Sequence, residues 1–426
     1  MTERRQQTMA EKLSAHSIHL RNINQIETAE AVGRRALAME PRNPEVLGNL
    51  GNVLMMAGKF REAKDLTEQA MVINPSLDAL AHNLGLIAMF SGQWDRALSY
   101  FTKVEDRFVD AAWDKACALL SLGRWDEGFR YAEVRRQKVN MPVYAVPEWD
   151  GKPFDGTLWI TSEQGIGDML QFSRYIPWAR SQCKRVIFDC FPTLMSLFTD
   201  YPGVDQFRAH EIEGGMFEPE ADFHTPLMTL PMFHNTTPDT VPKDPNWFQQ
   251  AAAAFPGIVE GDVGLLKVGV AWAGNPKHLR DRFRTIDLET MLPLFTVAEA
   301  QFYSFQVGHR ARDIDLIVAT SLVSNLAPQL TTWIKTAAAL IRMDLVITVD
   351  TAIAHLAGAL GVPTWLLLPK VPDWRWLLNR TDCPWYPSMR LFRQDQAGDW
   401  DSVISRVRHQ LKRHASERVS PEQAAE

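Results

Sequence analysis

The strongest constraint on this chain is a repeat with a period of 34 residues. The stretch "LGNLGNVLMMAGKFREAKDLTEQAMVINP" (47–75) is followed by "LAHNLGLIAMFSGQWDRALSYFTKVEDRF" (80–108). Leu50-Gly51 recurs as Leu84-Gly85, Gly58 as Gly92, Ala63 as Ala97 and Pro41 as Pro75, each 34 residues on. Small residues at fixed positions let the two helices of a hairpin approach closely, and a proline ends the second helix. Such a unit cannot bury its apolar face alone. It must stack on its neighbours, which confines this part of the chain to an open row of helical hairpins. A third copy, "AAWDKACALLSLGRWDEGFRYAEV", places Gly123 31 residues after Gly92, so one loop is shorter. An incomplete copy precedes them, with Ala29, Ala36 and Pro41 in register.

The pattern resembles the tetratricopeptide repeat, with about three to four copies over residues 10–138. The expected architecture is an α/α solenoid whose concave groove docks a peptide or a partner protein. The plainer reading is a structural or dimerising arm. Trp94, Trp113 and Trp125 are expected as core knobs rather than ligand contacts, and the array holds no cluster of catalytic side chains.

Beyond "VNMPVYAVPEWDGKPFDG" (139–156), rich in proline and glycine, short apolar strands alternate with helices. Strands are expected at 158–161, 186–190, 204–208, 222–230, 267–273, 301–307, 345–349 and 364–368, with a helix over 168–180. Such alternation predicts parallel sheets with crossover helices. The linker-like "NTTPDTVPKDPNW" (235–247) splits the strands into two sets. The expectation is therefore two Rossmann-like domains, over 157–262 and 266–395, then a terminal helix at 399–413 and a frayed tail at 414–426.

A net charge of −6 and a pI near 6.0 leave no global basic field for nucleic acid. The four cysteines form no C-x-x-C pair and no metal spacing, which points to a reduced compartment. The polar start "MTERRQQTMAEK" has no apolar signal region, and no run of about 18 apolar residues occurs. A cytoplasmic location and no membrane span are expected.

In parallel sheets ligands bind beyond the carboxyl ends of the strands, and three strand ends carry polar chemistry. In "WITSEQGIGDMLQFSRYIP" (159–177) a strand runs through Gly165 and Gly167 into a helix at Asp168. A dinucleotide fingerprint fails there because Leu170 replaces the third glycine, although Asp189 would suit a ribose. Asp168 is either a helix cap or a chemical group. In "VGVAWAGNPKHLRDRFRTIDL" (268–288) the strand ends at Gly274-Asn275-Pro276 and delivers Lys277, His278, Arg280, Arg282 and Arg284. That run reads as a polyphosphate site or as a solvated loop paired with Asp281 and Asp287. In "LVITVDTAIAHLAGALGVPTWLLLP" (345–369), Asp350 and Thr351 meet a helix, with His355 one turn on. Thr351 is expected to cap that helix, whose N–H groups can hold an anion. The bland reading is a cap beside a buried histidine.

Together these strand ends resemble glycosyltransferase family 9, the heptosyltransferase superfamily of GT-B fold. The resemblance rests on Gly167-Asp168, on the D-T-x-x-x-H segment of Asp350, Thr351 and His355, and on the basic stretch Lys277–Arg284. It covers roughly 157–412, and "PDWRWLLNRTDCPWYPSMRLFRQ" (372–394) is similar to the tetratricopeptide-linked branch. It implies inverting, metal-independent transfer from a nucleotide-diphosphate sugar, with no cofactor. Asp168 would be the general base, and Lys277, Arg280, Arg282 and Arg284 would neutralise the diphosphate. Gly165, Gly167, Asn275, Asp350, Thr351 and His355 would hold the donor, and the cleft between the two domains would close to exclude water. The basic run departs from the heptosyltransferase pattern, and those enzymes lack repeats, so a protein or glycan acceptor is expected. The acidic pair Asp313 and Asp315 is expected at the surface of a helix. A non-catalytic scaffold, a GT-B nucleotide-sugar epimerase and a dehydrogenase remain as alternatives.

Overall fold

A computed structural model describes residues 7–139, 141–209, 218–243, 246–257, 259, 264–278, 280–316 and 322–419. Part of the expected tail, 420–426, and the end of the first expected Rossmann domain, 260–262, lie outside them. The chain forms two compact units. One comprises Met1–Met141 with Pro276–Arg280 and Asp373–Arg375; the other comprises Pro142–Asn275, Asp281–Pro372 and Trp376–Glu426.

The first unit is built from helical hairpins: α1 (Met9–Asn22) with α2 (Ile26–Met39), α3 (Pro44–Met56) with α4 (Phe60–Ile73), α5 (Asp78–Phe90) with α6 (Trp94–Thr102), and α7 (Val109–Ser121) with α8 (Trp125–Ala132). A single turn, α9 (Arg135–Lys138), follows. The copy that reads as incomplete is a full hairpin. Gly58, Gly92 and Gly123 end the first helix of their hairpins with φ near +75° to +78°, and Asn24 takes the same place in the first hairpin at φ +62°. Asparagine tolerates the left-handed region better than other side chains, which is why that turn carries no glycine to mark it.

The periodic alanines are contact points. Ala29, Ala63 and Ala97 have no exposed surface. A Cβ on Gly85 would sit 2.4 Å from the ring of the fully buried Phe101, so α5 and α6 pack on ring against backbone. Trp125 is a core residue and donates from Nε1 to the Leu120 carbonyl at 3.0 Å. Trp94 and Trp113 are only half-buried, contrary to expectation.

Two later stretches complete this unit. Arg280 lies over the Phe90 ring at 5.3 Å and reaches Asp114 at 3.5 Å, while the other Asp114 oxygen is 2.8 Å from His82 Nε2. Trp374 meets Phe129 edge-on at 5.9 Å. Nothing in the 34-residue period foretells these partners.

The second unit holds two parallel sheets. The first contains β1 (Thr157–Thr161), β2 (Arg185–Cys190), β3 (Gln206–Ala209) and β4 (Phe223–Pro226) in the order β3-β2-β1-β4. Between these strands lie α10 (Ile166–Phe172), α11 (Ile176–Ser181) and α12 (Met195–Phe198), and after them α13 (Leu230–Phe233) and α14 (Trp247–Ala253). The helix expected over 168–180 is interrupted by a 3-10 turn at Ser173–Tyr175. Pro177 starts α11 and has no N–H to continue the ladder. The strand expected over 222–230 stops at Pro226 and passes into helical turns.

The second sheet contains β5 (Leu266–Ala271), β6 (Ala300–Ser304), β7 (Val323–Asn325), β8 (Leu345–Val349), β9 (Thr364–Leu368) and β10 (Met389–Arg393). Its helices are α15 (Asp281–Arg284), α16 (Leu288–Met291), α17 (Asp313–Leu316), α18 (Trp333–Leu340), α19 (Ala352–Ala359) and α20 (Trp400–Val419). The last helix continues beyond the expected end at 413 and takes in part of the expected tail. The strand order is β10-β9-β8-β5-β6-β7, the doubly wound arrangement in which the chain reverses direction between β5 and β8. Val268, Val270, Trp272, Leu345, Ile347 and Val349 form its buried centre. Asp313 is not a free surface acid. It accepts from Trp272 Nε1 at 2.9 Å and pairs with Arg310 at 2.7 Å. Among the described residues no helix is long and apolar enough to cross a membrane. All four cysteines are free and buried, and burial pushes the Cys190 and Cys383 thiols up to about 12 and about 11.

Candidate functional site

Two of the three polar strand ends lie side by side. β5 and β8 are paired neighbours, with Ala271 opposite Thr348 at the carboxyl end of the ladder. The chain leaves β5 toward Gly274-Asn275 and leaves β8 toward Asp350-Thr351. Both therefore emerge at the point where the strand order reverses, the place in an open α/β sheet where a crevice forms.

The β5 exit is tightly tied. The Gln306 side-chain oxygen accepts from the N–H groups of Trp272 and Ala273 at 3.0 and 2.9 Å. Asp281 accepts from Arg284 at 3.0 Å and from the Thr285 hydroxyl at 2.9 Å, and Thr285 receives the Gly274 N–H at 3.4 Å. Arg284 is thus held against the end of β5, while Arg282 lies 6.0 Å from the ring of Phe283. The expected four-cation cluster is divided. Lys277 and Arg280 group with the helical hairpins, where Arg280 faces Asp114. Asn275 is exposed.

At the β8 exit, Thr351 is the N-cap of α19 by backbone conformation, but its side chain makes no capping bond. Its Oγ1 is buried with no hydrogen-bond partner, which corrects the expected cap. Asp350 beside it is half-buried.

The third strand end meets this one. After β1, Gln164 adopts a left-handed backbone at φ +62°, a strained conformation for glutamine, and the chain turns into α10. Asp168, half-buried on the first turn of α10, accepts from the Gly165 N–H at 2.9 Å. Its capping role is real. Glu163 is buried and accepts from the Met228 N–H at 3.0 Å, so it ties β1 to the turn after β4. Gly167 explains itself: a Cβ there would stand 2.8 Å from Cδ2 of His355. Helix α10 therefore packs directly on α19, and the turn that bears Asp168 abuts the imidazole.

His355 is 5% exposed and boxed in. Its Nδ1 is 3.0 Å from the Tyr386 hydroxyl, and its ring stacks on Trp376 at 5.2 Å and 30°. Arg174 is buried, donates to the Trp385 carbonyl at 2.6 Å and lies 4.9 Å from the Tyr386 ring centre. Sequence reasoning missed Arg174, Trp376, Trp385 and Tyr386. They lie in an irregular, aromatic-rich stretch or inside a helix, with no periodicity to single them out.

Asp189 is not available to a ribose, because it has no exposed surface. Burial pushes its carboxyl up from 3.8 to about 6, against the pull of Arg208, whose Nε lies 3.7 Å away. The folded chain thus holds a proton that the unfolded chain releases, so stability falls as pH rises from about 4 to about 6 and is flat above. Asp189→Asn removes this dependence. Its unfolding midpoint relative to the parent is expected to climb across that window and then level off. The gain is roughly 3 kcal/mol at most, read from thermal melts at pH 4, 5, 6 and 7.5.

Residues 24–85 match the family model for the tetratricopeptide repeat. Over that span the helical hairpins are tetratricopeptide repeats. The chain is 24% identical to Protein FlbA of Caulobacter vibrioides over 437 residues, covering 93% of this chain and 72% of that protein. It is also similar to solved structures. PilF of Pseudomonas aeruginosa matches 30% of this chain at 23% identity and TM-score 0.27, the match spanning 60% of PilF. An O-GlcNAc transferase mutant of Thermobaculum terrenum matches 99% of this chain and 96% of its own at 14% identity and TM-score 0.32. Superpositions this loose carry no inference about chemistry, which rests on the residues.

Proposed function

We propose that this tetratricopeptide-repeat protein is an inverting, metal-independent glycosyltransferase of GT-B type. It moves a sugar from a nucleotide-diphosphate sugar to an acceptor hydroxyl. The observation that carries the reading is the meeting of Gly167-Asp168 with His355. Two motifs from different sheets, far apart in sequence, abut through α10 and α19. Beside them the Thr351 hydroxyl is buried without a hydrogen-bond partner, which supports a ligand site over a plain helix cap.

In this scheme the Asp168 carboxylate takes the proton from the acceptor hydroxyl as its oxygen attacks the anomeric carbon. The bond from that carbon to the diphosphate oxygen breaks, and the nucleoside diphosphate leaves with the electron pair. Arg282 and Arg284, the second held by Asp281, would supply the positive charge that offsets the departing diphosphate. The Thr351 hydroxyl and the N-terminal N–H groups of α19 hold a phosphate or a sugar hydroxyl. The repeats dock the acceptor or a partner protein.

A thermal-shift screen against nucleoside diphosphates and nucleotide sugars tests the reading. A ligand at 100 times its dissociation constant is expected to stabilise the chain by about 2.7 kcal/mol. No shift with any of them would favour a non-catalytic scaffold.

A further inference from the structure

We infer that Tyr386 is a positioning residue that sets the tautomer of His355. Its hydroxyl donates to Nδ1, so the neutral ring carries its own proton on Nε2. Nε2 and Cδ2 form the edge that faces Gly167, on the turn bearing Asp168.

A bond of 3.0 Å between a phenol and an imidazole nitrogen can run either way. The direction follows from the surroundings. Arg174 places its guanidinium over the Tyr386 ring at 4.9 Å, and it is itself fixed by donating to the Trp385 and Gln171 carbonyls. A cation over a phenol ring withdraws electron density from the oxygen, making the hydroxyl a better donor and a poorer acceptor. A neutral ring accepting at Nδ1 must donate at Nε2.

The ring has little freedom to escape this arrangement. Trp376 covers one face, and Gly167 allows the edge to approach the α10 backbone. Tyr386 in turn packs on Gly358 of α19, so its position is set by the helix that carries His355. The result is a fixed N–H donor on the ring edge that meets Gly167, rather than a second base. Its use, to hold a donor phosphate oxygen, rests on the glycosyltransferase reading; the tautomer itself does not.

The test is nitrogen-15 NMR of the full chain labelled at histidine, with the His355 signals assigned by their loss in His355→Gln. The parent is expected to show His355 wholly as the Nε2–H form. Tyr386→Phe keeps the ring and its packing and removes only the hydroxyl; the two ring-nitrogen signals are expected to move toward each other as the tautomers mix. A parent spectrum showing the Nδ1–H form overturns the inference whether or not the variant folds. An unchanged His355 signal in a folded Tyr386→Phe overturns it as well. Neither nucleotide nor acceptor is present, so a failure here is distinct from a failure of the ligand screen.

Discussion

Asp168→Asn is expected to lower sugar transfer by roughly 100- to 10,000-fold, the usual contribution of a positioned general base. Nucleoside diphosphate affinity should be unchanged. The separation is possible because asparagine keeps an oxygen that can accept from the Gly165 N–H, so the first turn of α10 retains its cap. Lost activity therefore reports the lost proton acceptor and not a melted helix. The measurement is single-turnover transfer from whichever nucleotide sugar the ligand screen identifies, beside a binding isotherm for its nucleoside diphosphate. Surviving transfer would remove Asp168 as the base and turn attention to Glu163, the other carboxylate on the same loop.

Phe101→Ala is expected to produce the largest loss of stability, about 3–5 kcal/mol. The ring has no exposed surface and fills the space that Gly85 leaves between α5 and α6. The opposite change, Gly85→Ala, overfills the same contact and should cost roughly 1–3 kcal/mol. Gly85→Ala combined with Phe101→Leu should recover part of both losses, since the two positions share one contact. Urea unfolding followed by helical circular dichroism reads these variants and Phe101→Leu alone. Additive losses in the double variant would mean that the ring and the glycine do not meet as described.

The repeat helices were legible because their packing leaves small residues at a fixed interval, and a left-handed turn asks for glycine in three of the four hairpins. The first hairpin hid itself by using Asn24. Most strand positions were legible from apolar runs, though β7 and β10 were not, and the order of the sheets was not written in any one run. It emerges only from pairing, and pairing is what sets the carboxyl ends of β5 and β8 side by side. Gly167-Asp168 and Asp350-Thr351-His355 were visible as motifs, and their meeting through α10 and α19 was not. In the basic run, charge spacing did not reveal partners: Arg280 faces Asp114 and Arg284 faces Asp281. The aromatic box around His355 was invisible for a similar reason, since tryptophan and tyrosine in an irregular stretch look the same whether they pack on core or on a functional side chain.

The first compact unit is discontinuous along the chain: three separate stretches make it up, the last ending at Arg375. A row of hairpins ordinarily frays from its ends, each repeat answering only to its neighbours. Here the last hairpin also answers to residues made much later, through Asp114 to Arg280 and Phe129 to Trp374. A protein cut after Met141 would leave that hairpin as an open end. In the intact chain the same contacts pin the free edge of the row, so its melting is tied to sequence more than a hundred residues downstream.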